Sequence, residues 1–298
     1  MLRGRPLNSV VFNIFNYSFL LLIGIITLYP FLNLMAISLN ESLDTVKGGI
    51  RIFPRAWTTS NYEIVFSNPQ LLSAAIRSLL RTVIGTLLSV SMTTMLAYAL
   101  SRRDYKLRKI LTLVMVMSMY VSGGLIPFYI LIKDLHLTDT FLVYILPGLI
   151  SAFNVLIVRS YFDQLPEGLS ESARIDGASD FQILFRVLVP ISMPVIATIT
   201  LFISVGHWNS WFDNYLYNTS QNLSLLQFEL MKILMQSISQ VTGSASSTGH
   251  IDATLANTTS PESIRATLTI IVTLPILLVY PFLQKYFVKG ITLGAMKE

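Results

Sequence analysis

The most regular feature of this sequence is the alternation of long apolar stretches with short charged ones. Six stretches contain no Asp, Glu, Lys or Arg, and each is long enough to cross a hydrocarbon core of about 30 Å at about 1.5 Å per residue. Because lipid offers the backbone no hydrogen-bond partners, such segments are expected to be helical. The pattern therefore predicts an all-α membrane protein with six transmembrane helices, at about residues 11–38, 78–101, 110–132, 141–159, 188–210 and 265–285.

The positions of lysine and arginine predict the orientation of these helices. With the N-terminus in the cytoplasm, most of the 21 Lys and Arg residues fall on cytoplasmic segments, and the loop 102–109 carries the densest group. Both termini are then cytoplasmic, 160–187 is a cytoplasmic loop and 211–264 is an outer loop. The apolar run after Arg5 is too long for the core of a signal peptide, so we expect a retained helix, kinked at Pro30.

The composition agrees with a membrane protein. Hydrophobic residues make up 53% of the 298 residues and charged residues only 12%, whereas soluble domains average about 25% charged residues. The absence of cysteine excludes disulfides, thiolate metal sites and cysteine nucleophiles. The three histidines, His136, His207 and His250, lack metal-ligand spacing, so no metal is expected. The net charge of +5 reflects membrane orientation, and we expect lipid rather than nucleic acid as a partner.

Several features suggest breaks or contacts within this framework. Gly123, Gly124 and Pro127 interrupt the third predicted helix, which is expected either to line a pathway or to be kinked for packing. Pro147-Gly148 predicts a kink in the fourth. The stretch 225–236, LLQFELMKILMQ, has the apolar spacing of a short outer amphipathic helix.

Candidate contacts for a solute lie near the outer ends of the predicted helices. Arg77 and Arg81 are expected either to reach the headgroups or to form an anion-attracting rim, to which Arg265 would add a third charge. The stretch with Trp208, Asn209, Trp211 and Tyr215 is expected to be either an interfacial aromatic belt or a stacking surface for sugar rings.

The segment 171–194 is the longest charged run between two apolar segments. Charges of both signs alternate along it, and Gly177 in its middle allows one short helix to stop and another to start. Apolar residues at helical spacing flank the glycine on both sides. This helix–turn–helix is expected either to rest on the headgroups or to bury its apolar face against a partner.

The sequence lacks the chemistry of a self-powered transporter or an enzyme. It contains no GxxxxGK[ST], HExxH or GxSxG motif, and no predicted helix centre carries a carboxylate or lysine that could relay protons. A solute pathway without such groups would need its source of energy on another chain. The alternative is an ATP-independent channel or secondary carrier for a polar solute, and a membrane-embedded hydrolase is a more distant one.

The segment 171–190 also carries a family signature. Glu171-Ser172-Ala173, Gly177 and 187–190, VLVP, match the spacing of the EAA motif, with Ser172 in place of the first alanine. On this motif, on RIDGAS at 174–179 and on KGITLGAMKE at 289–298, the chain resembles the membrane permeases of carbohydrate-uptake ABC importers, which include the smaller maltose permease subunit. LLQFELMKIL looks like the subgroup for polysaccharides or complex oligosaccharides, in which an alginate-type importer is one candidate. Many relatives have Asn-Ser where this chain has Arg77-Ser78.

The resemblance implies a single permease domain over residues 1–298, with the type I ABC importer fold, in the bacterial inner membrane. It implies that the Gly177 turn is a coupling helix that docks on an ATPase subunit. The residues involved would be Glu171, Ser172, Ala173, Ile175, Asp176, Gly177 and Pro190.

The resemblance also implies the partners. These are a second, homologous permease forming a heterodimer, two ATPase subunits that hold ATP and magnesium, and a periplasmic solute-binding protein touching 214–263. The chain itself would bind no cofactor and catalyse no reaction. Its cargo would be an oligosaccharide, with an acidic, uronate-type sugar as one candidate.

Overall fold

The computed structural model describes residues 7–241 and 260–295, and its regular elements there are helices. The α-helices are α1 (Leu7–Ser38), α2 (Ser42–Thr45), α3 (Ser60–Ser67), α4 (Pro69–Ser101), α5 (Arg108–Tyr120), α6 (Leu125–Asp134), α7 (Ala152–Phe162), α8 (Glu167–Ile175), α9 (Asp180–Gln182), α10 (Val189–Ile191), α11 (Met193–Asn209), α12 (Phe212–Tyr217), α13 (Leu226–Val241) and α14 (Pro261–Ala295). Two 3₁₀ turns, Phe141–Tyr144 and Gln221–Leu223, and a π-helical segment, Ile183–Leu188, complete the set. The predicted all-α class is confirmed.

The chain divides into two compact units. One consists of Met1–Leu72 with Lys232–Thr273, and the other of Ser73–Met231 with Leu274–Glu298. Parts of two predicted features, the outer loop 211–264 and the C-terminal stretch 289–298, lie outside the described residues.

Three helices in the described part of the chain are long and apolar enough to cross a membrane unbroken. They are Val11–Ser38, Pro69–Ser101 and Pro261–Pro281. Pro30 lies inside the first of these, and α1 continues past it to Ser38. Two further helix pairs qualify if each is one bent span: α5 with α6, bent by 120°, and Asp180–Ile191 with α11, bent by 89°. The structure thus has at least three candidate spans and up to five.

The fourth predicted span differs most from the expectation. Where one helix was expected over 141–159, a 3₁₀ turn occupies Phe141–Tyr144, turns and bends follow, and α7 starts only at Ala152. The Pro147-Gly148 pair lies in the irregular part, where proline lacks the N–H that a helix needs. The 11 residues of α7 extend about 16 Å, roughly half the thickness of a hydrocarbon core.

The break between α5 and α6 has a clear local cause. Gly124 adopts φ 84° and ψ 176°, a region that is essentially restricted to glycine. Its N–H lies 3.2 Å from the Ser122 hydroxyl oxygen, which can accept from it. A cavity of about 280 Å³ lies at the bend, lined by Ser122, Gly123, Gly124, Pro127, Phe128 and Leu131. It is just below the usual range for small-molecule sites, about 300–1,000 Å³.

In the first unit, buried amides hold the polar connection after α1 in place. The Asn40 side-chain oxygen accepts from the backbone N–H groups of Arg55 and Ala56, at 2.8 and 2.9 Å. The Asn61 amide donates to the carbonyls of Ser38 and Asn40, at 2.9 and 2.8 Å. These bonds satisfy backbone groups that no helix or sheet pairs.

The second unit has a core that joins four helical elements. Its fully buried members are Ala97 and Leu100 of α4, Val155 and Val158 of α7, Ile183 and Leu184 of the π-helical segment, and Ile199 of α11. Ala173 and Ala178, on either side of the Gly177 turn, are partly buried against this cluster. The core therefore fixes where the Gly177 turn sits on the second unit.

Candidate functional site

The segment around Gly177 is a helix–turn–helix, as the sequence predicts. The N–H of Ala178 donates to the Ala173 carbonyl (2.9 Å) and the N–H of Gly177 to the Arg174 carbonyl (3.0 Å), the two bonds of a Schellman motif. Gly177 has φ +81°, which this motif requires at that position and which glycine adopts without a Cβ penalty. The end of α8 is thus fixed by its own backbone.

A capping box starts the next helix two residues later. The Ser179 hydroxyl accepts from the N–H of Gln182 (3.4 Å), and the Gln182 side chain accepts from the N–H of Ser179 (2.8 Å). The turn is therefore closed on both sides by local hydrogen bonds, which pre-organise it without any partner. We call residues 167–182 the coupling turn, after the role that the family resemblance implies for them.

The coupling turn leaves large apolar side chains uncovered. Ile175 is 87% exposed and Phe181 67% exposed, and the Phe181 ring stacks on Phe185 at 6.5 Å. Glu171 is exposed, and no salt bridge to it is found among the described residues. A large exposed apolar surface beside an exposed carboxylate is typical of an interaction site.

The predicted coupling residues do not all face the same way. Glu171, Ser172, Ile175 and Asp176 are exposed, and so is Pro190 beyond the π-helical segment. Ala173 instead packs against the core of its own chain.

Charged side chains tie the coupling turn to the end of α4. The Asp180 carboxylate accepts from the Tyr98 hydroxyl (3.0 Å) and from the Arg174 guanidinium (3.2 Å). Arg174 also lies 3.9 Å from Asp104, where the Arg102 hydrogen bond holds the pKa of the Asp104 carboxyl below its usual range. Sequence reasoning missed Tyr98 and Asp104, because their partners lie far along the chain.

A second ion pair joins the start of α8 to the loop between α4 and α5. The Arg103 guanidinium lies 2.8 Å from the Glu167 carboxylate, and both side chains are largely exposed. Exposed pairs of this kind contribute little to stability, about 0–1 kcal/mol.

The arginines at the other end of α4 bond to groups of their own chain, although the buried Nε of Arg81 has no hydrogen-bond partner among the described residues. Arg81 is 3% exposed and forms an ion pair with Asp213, while its guanidinium also lies 4.9 Å from the centre of the Tyr144 ring. Arg77 donates to the carbonyls of Ser224 (3.0 Å) and Gln221 (3.2 Å). This geometry supports neither of the expected roles, headgroup contact or an anion-attracting rim.

Further bonds join the segment 210–226 to its surroundings. The Ser78 hydroxyl accepts from the N–H of Leu226 (2.9 Å), and the Asn214 side-chain oxygen accepts from the N–H of Leu225 (2.7 Å). The Asp139 carboxylate accepts from the N–H groups of Thr219 (2.7 Å) and Ser220 (3.2 Å). We call this segment, 210–226, the outer segment.

The predicted aromatic contacts form a cluster on the outer segment. Trp211 meets Phe212 edge to face at 5.7 Å, and Tyr215 lies 6.4 Å from Trp211. Tyr215 is 62% exposed, whereas Trp211 and Trp208 are half-buried. The Asn209 side-chain oxygen accepts from the Gln227 amide at 3.0 Å. The cluster thus offers a partly open aromatic surface.

Metal chemistry finds no support in the described residues, 7–241 and 260–295. They contain no group of three or more His, Cys, Asp or Glu side chains that could hold a metal ion.

Comparisons with known proteins give a consistent result. The family described as binding-protein-dependent transport system inner membrane component matches residues 85–293. The chain is 40% identical to protein LplC of Bacillus subtilis (strain 168) over 288 residues, which is 96% of this chain and 95% of LplC. It is 36% identical to the polygalacturonan/rhamnogalacturonan transport system permease protein YtcP of the same strain, over 96% of this chain and 98% of YtcP.

A solved structure has the same fold over nearly the whole length. It is a chain of a bacterial ABC transporter involved in the import of the acidic polysaccharide alginate. That chain is 26% identical, with a TM-score of 0.86, and the match covers 96% of this chain and 99% of the other.

Proposed function

The chain belongs to the family of binding-protein-dependent transport system inner membrane components, and from that premise we propose that it is a permease subunit of an ABC importer for oligosaccharides. It is not an enzyme, because ATP hydrolysis in such importers belongs to separate ATPase subunits. The rival function, an ATP-independent channel or secondary carrier, is not favoured, since it explains neither the family match nor the likeness to an ABC importer.

The coupling turn docks on an ATPase subunit. The observation that carries this assignment is the 87% exposure of Ile175 on a turn closed by a Schellman motif and a capping box. A rigid turn gives up little conformational entropy when it binds. Burying an exposed isoleucine contributes about 1.5–3 kcal/mol, and Glu171 beside it is free to pair with a basic residue of the partner.

An acidic oligosaccharide is the cargo class that the relatives favour. YtcP is named for polygalacturonan and rhamnogalacturonan, and the structural neighbour belongs to an importer of the acidic polysaccharide alginate. Arg77 and Arg81 give this class no support, because their terminal guanidinium nitrogens already bond within the chain. The candidate carbohydrate contacts are the aromatic surface of the outer segment, above all Tyr215, together with Trp208, Asn209 and Trp211.

The assembly contains further chains. These are a second permease, two ATPase subunits holding ATP and magnesium, and a periplasmic binding protein that meets the outer segment. The protein spans the bacterial inner membrane six times, with bent pairs and the short α7 completing the spans, and both termini are cytoplasmic. In this topology the coupling turn is cytoplasmic and the outer segment periplasmic.

The test is ATP hydrolysis by the complete assembly in lipid, with and without binding protein loaded with an alginate or galacturonate oligosaccharide. Ile175→Asp places a charge on the proposed docking surface, and we expect it to remove the stimulation that loaded binding protein produces in the wild type. Leu107→Asp is the matched control, since it places the same charge on an exposed side chain of the neighbouring loop. An assembled Ile175→Asp complex that is stimulated as strongly as the wild type would contradict the docking assignment.

A further inference from the structure

We infer that α4 is a strut that carries movement between the coupling turn and the outer segment, and that Tyr98 and Arg81 are the positioning residues at its two ends. The inference rests on the proposed function, because it concerns how binding at one face reaches the other. It adds a path and two residues that the family resemblance does not name.

The first observation is the continuity of α4. It runs unbroken from Pro69 to Ser101, 33 residues, or about 50 Å. Its only proline is at the first position, where proline is tolerated. The two candidate spans that lie wholly within the second unit are bent by 120° and 89°, so α4 is better suited than either of them to transmit a displacement along its length.

The second observation is the contact at the inner end. The Tyr98 ring belongs to the buried core of the second unit, while its hydroxyl reaches Asp180 at 3.0 Å. Asp180 starts the helix after Gly177, and its other partner, Arg174, lies on the helix before it. One hydroxyl of α4 is therefore bonded to a carboxylate that holds both halves of the coupling turn.

The third observation is the contact at the other end. Arg77 and Ser78 are adjacent on α4 and Arg81 lies one turn further along, and each one bonds to the outer segment. In the pair with Asp213 the Arg81 side chain is buried and the Asp213 side chain is 20% exposed, so water screens this ion pair only weakly. A displacement of the outer segment must therefore either move α4 or break these bonds.

The contacts at the two ends of α4 act one after the other, so coupling between the coupling turn and the outer segment requires both. Tyr98 and Arg81 are separated by 17 positions, or about 25 Å along the helix. Residues this far apart contribute independently when their role is only to stabilise the fold, so their effects add. In a strut the effects on coupling do not add, because one broken end already disconnects the two faces.

The experiment compares Tyr98→Phe, Arg81→Lys and the double variant in the assembly described above. Tyr98→Phe removes one hydroxyl and keeps the ring in the core, and Arg81→Lys keeps the charge beside Asp213 but loses the forked geometry. We expect each single variant to assemble, to keep its basal ATP hydrolysis and to lose about tenfold or more of its stimulation by loaded binding protein, the size of one lost charge-assisted hydrogen bond. The double variant should lose no more stimulation than the single variant that loses more.

The matched control is Tyr105→Phe. Tyr105 lies in the loop next to α4, and its hydroxyl has no side-chain partner among the described residues. This variant should be stimulated like the wild type. A loss of equal size in Tyr105→Phe, or losses that multiply in the double variant, would overturn the strut.

A distance measurement tests the same point without relying on activity. The chain contains no cysteine, so spin labels can be placed at Gly168→Cys, where an added Cβ meets nothing within 4 Å, and at the exposed Asn222→Cys. The label distance should be the same with and without ATP in the otherwise wild-type assembly, and should shift or broaden with ATP in Tyr98→Phe. A distance that changes with ATP in the wild-type background would overturn the inference.

Different outcomes would overturn the proposed function and the strut. An assembly whose wild-type form is not stimulated by loaded binding protein overturns the proposed function and the strut with it. A stimulated wild type with an equally stimulated Tyr98→Phe overturns the strut alone.

Discussion

Charged side chains contact both ends of α4, but they are buried at one end and exposed at the other. At the outer segment, Arg81 is buried and its charge is balanced by Asp213. At the coupling turn, the ion pairs of Arg103 and Arg174 are exposed, and Ile175 is uncovered beside them. A charge that is satisfied inside the chain serves its architecture, whereas an apolar side chain left uncovered on a rigid turn indicates where a partner binds.

The difference corrects an interpretation based on residue type. Arg77 and Arg81 look like candidates for binding an acidic sugar when only the sequence is read. In the structure their terminal guanidinium nitrogens donate to carbonyls and a carboxylate of the outer segment, and the one unpaired nitrogen of Arg81, Nε, is buried.

The largest expected effect comes from breaking the buried pair. Arg81→Ala leaves Asp213 without its cation, and we expect a loss of about 3–5 kcal/mol in the free energy of unfolding, because a charge buried alone is costly. The matched control, Arg103→Ala, removes an exposed pair and should cost about 0–1 kcal/mol. Denaturant unfolding of the purified chain in detergent measures both.

A second variant separates loss of the pair from loss of the side chain. Arg81→Met with Asp213→Leu removes both charges and should recover much of the stability that Arg81→Ala loses. If Arg81→Ala and Arg103→Ala had equal costs, the contrast between the two ends of α4 would disappear.

The coupling turn offers a sharper comparison between two of its own glycines. An added Cβ would meet nothing within 4 Å at either Gly168 or Gly177, but only Gly177 has positive φ. We expect Gly177→Ala to destabilise the chain by about 1–2 kcal/mol, the cost of a left-handed backbone for an L-residue. Gly168→Ala lies within a helix and should stabilise it by about 0.5–1 kcal/mol.

Thermal unfolding of the two alanine variants checks the signs. Gly177→Asn should fall between Gly177→Ala and the wild type, since asparagine tolerates the left-handed region better than alanine. A destabilising Gly168→Ala, or a neutral Gly177→Ala, would show that space rather than backbone conformation governs this turn.

The sequence predicts best those features that depend on neighbours along the chain. The helical class and the helix–turn–helix at Gly177 follow from hydropathy and from a single glycine, and the structure has both. The family signature over 171–190 is local as well, and the family match extends across it.

Features that depend on distant partners could not be predicted. Asp213 lies 132 residues from Arg81, and Asp180 lies 82 residues from Tyr98, so nothing in either local pattern signals these pairs. The breaks near Gly124 and at Pro147-Gly148 were predicted, but the size of the 120° bend and the length of the irregular segment before α7 were not. Counting charges detects an apolar stretch, but it does not measure how far glycine and proline interrupt the backbone hydrogen bonds within it.

The smallest expected effect concerns Asp139, which extends the outer network onto the exposed surface. The N–H groups of Thr219 and Ser220 hold the pKa of the Asp139 carboxyl below its usual range. A depressed pKa in the folded state means that this contribution is complete above the unfolded value of about 3.9 and is lost as the pH falls through the folded value. Hydrogen-exchange protection of 218–220, corrected for intrinsic rates, should therefore stay constant from about pH 7 to pH 5 and decline below about pH 4.

Asp139→Asn is the matched control for this pH dependence. The amide keeps an acceptor oxygen but has no proton to gain, so protection of 218–220 should be lower at neutral pH and should not decline further in acid. The Arg81 pair should hold the rest of the outer segment in both proteins, because the Arg81 side chain is buried and the Asp213 carboxylate is only 20% exposed. An equal acid-induced loss of protection in Asp139→Asn would show that another carboxylate anchors the segment. Asp139 would then not be the exposed contact that holds 218–220.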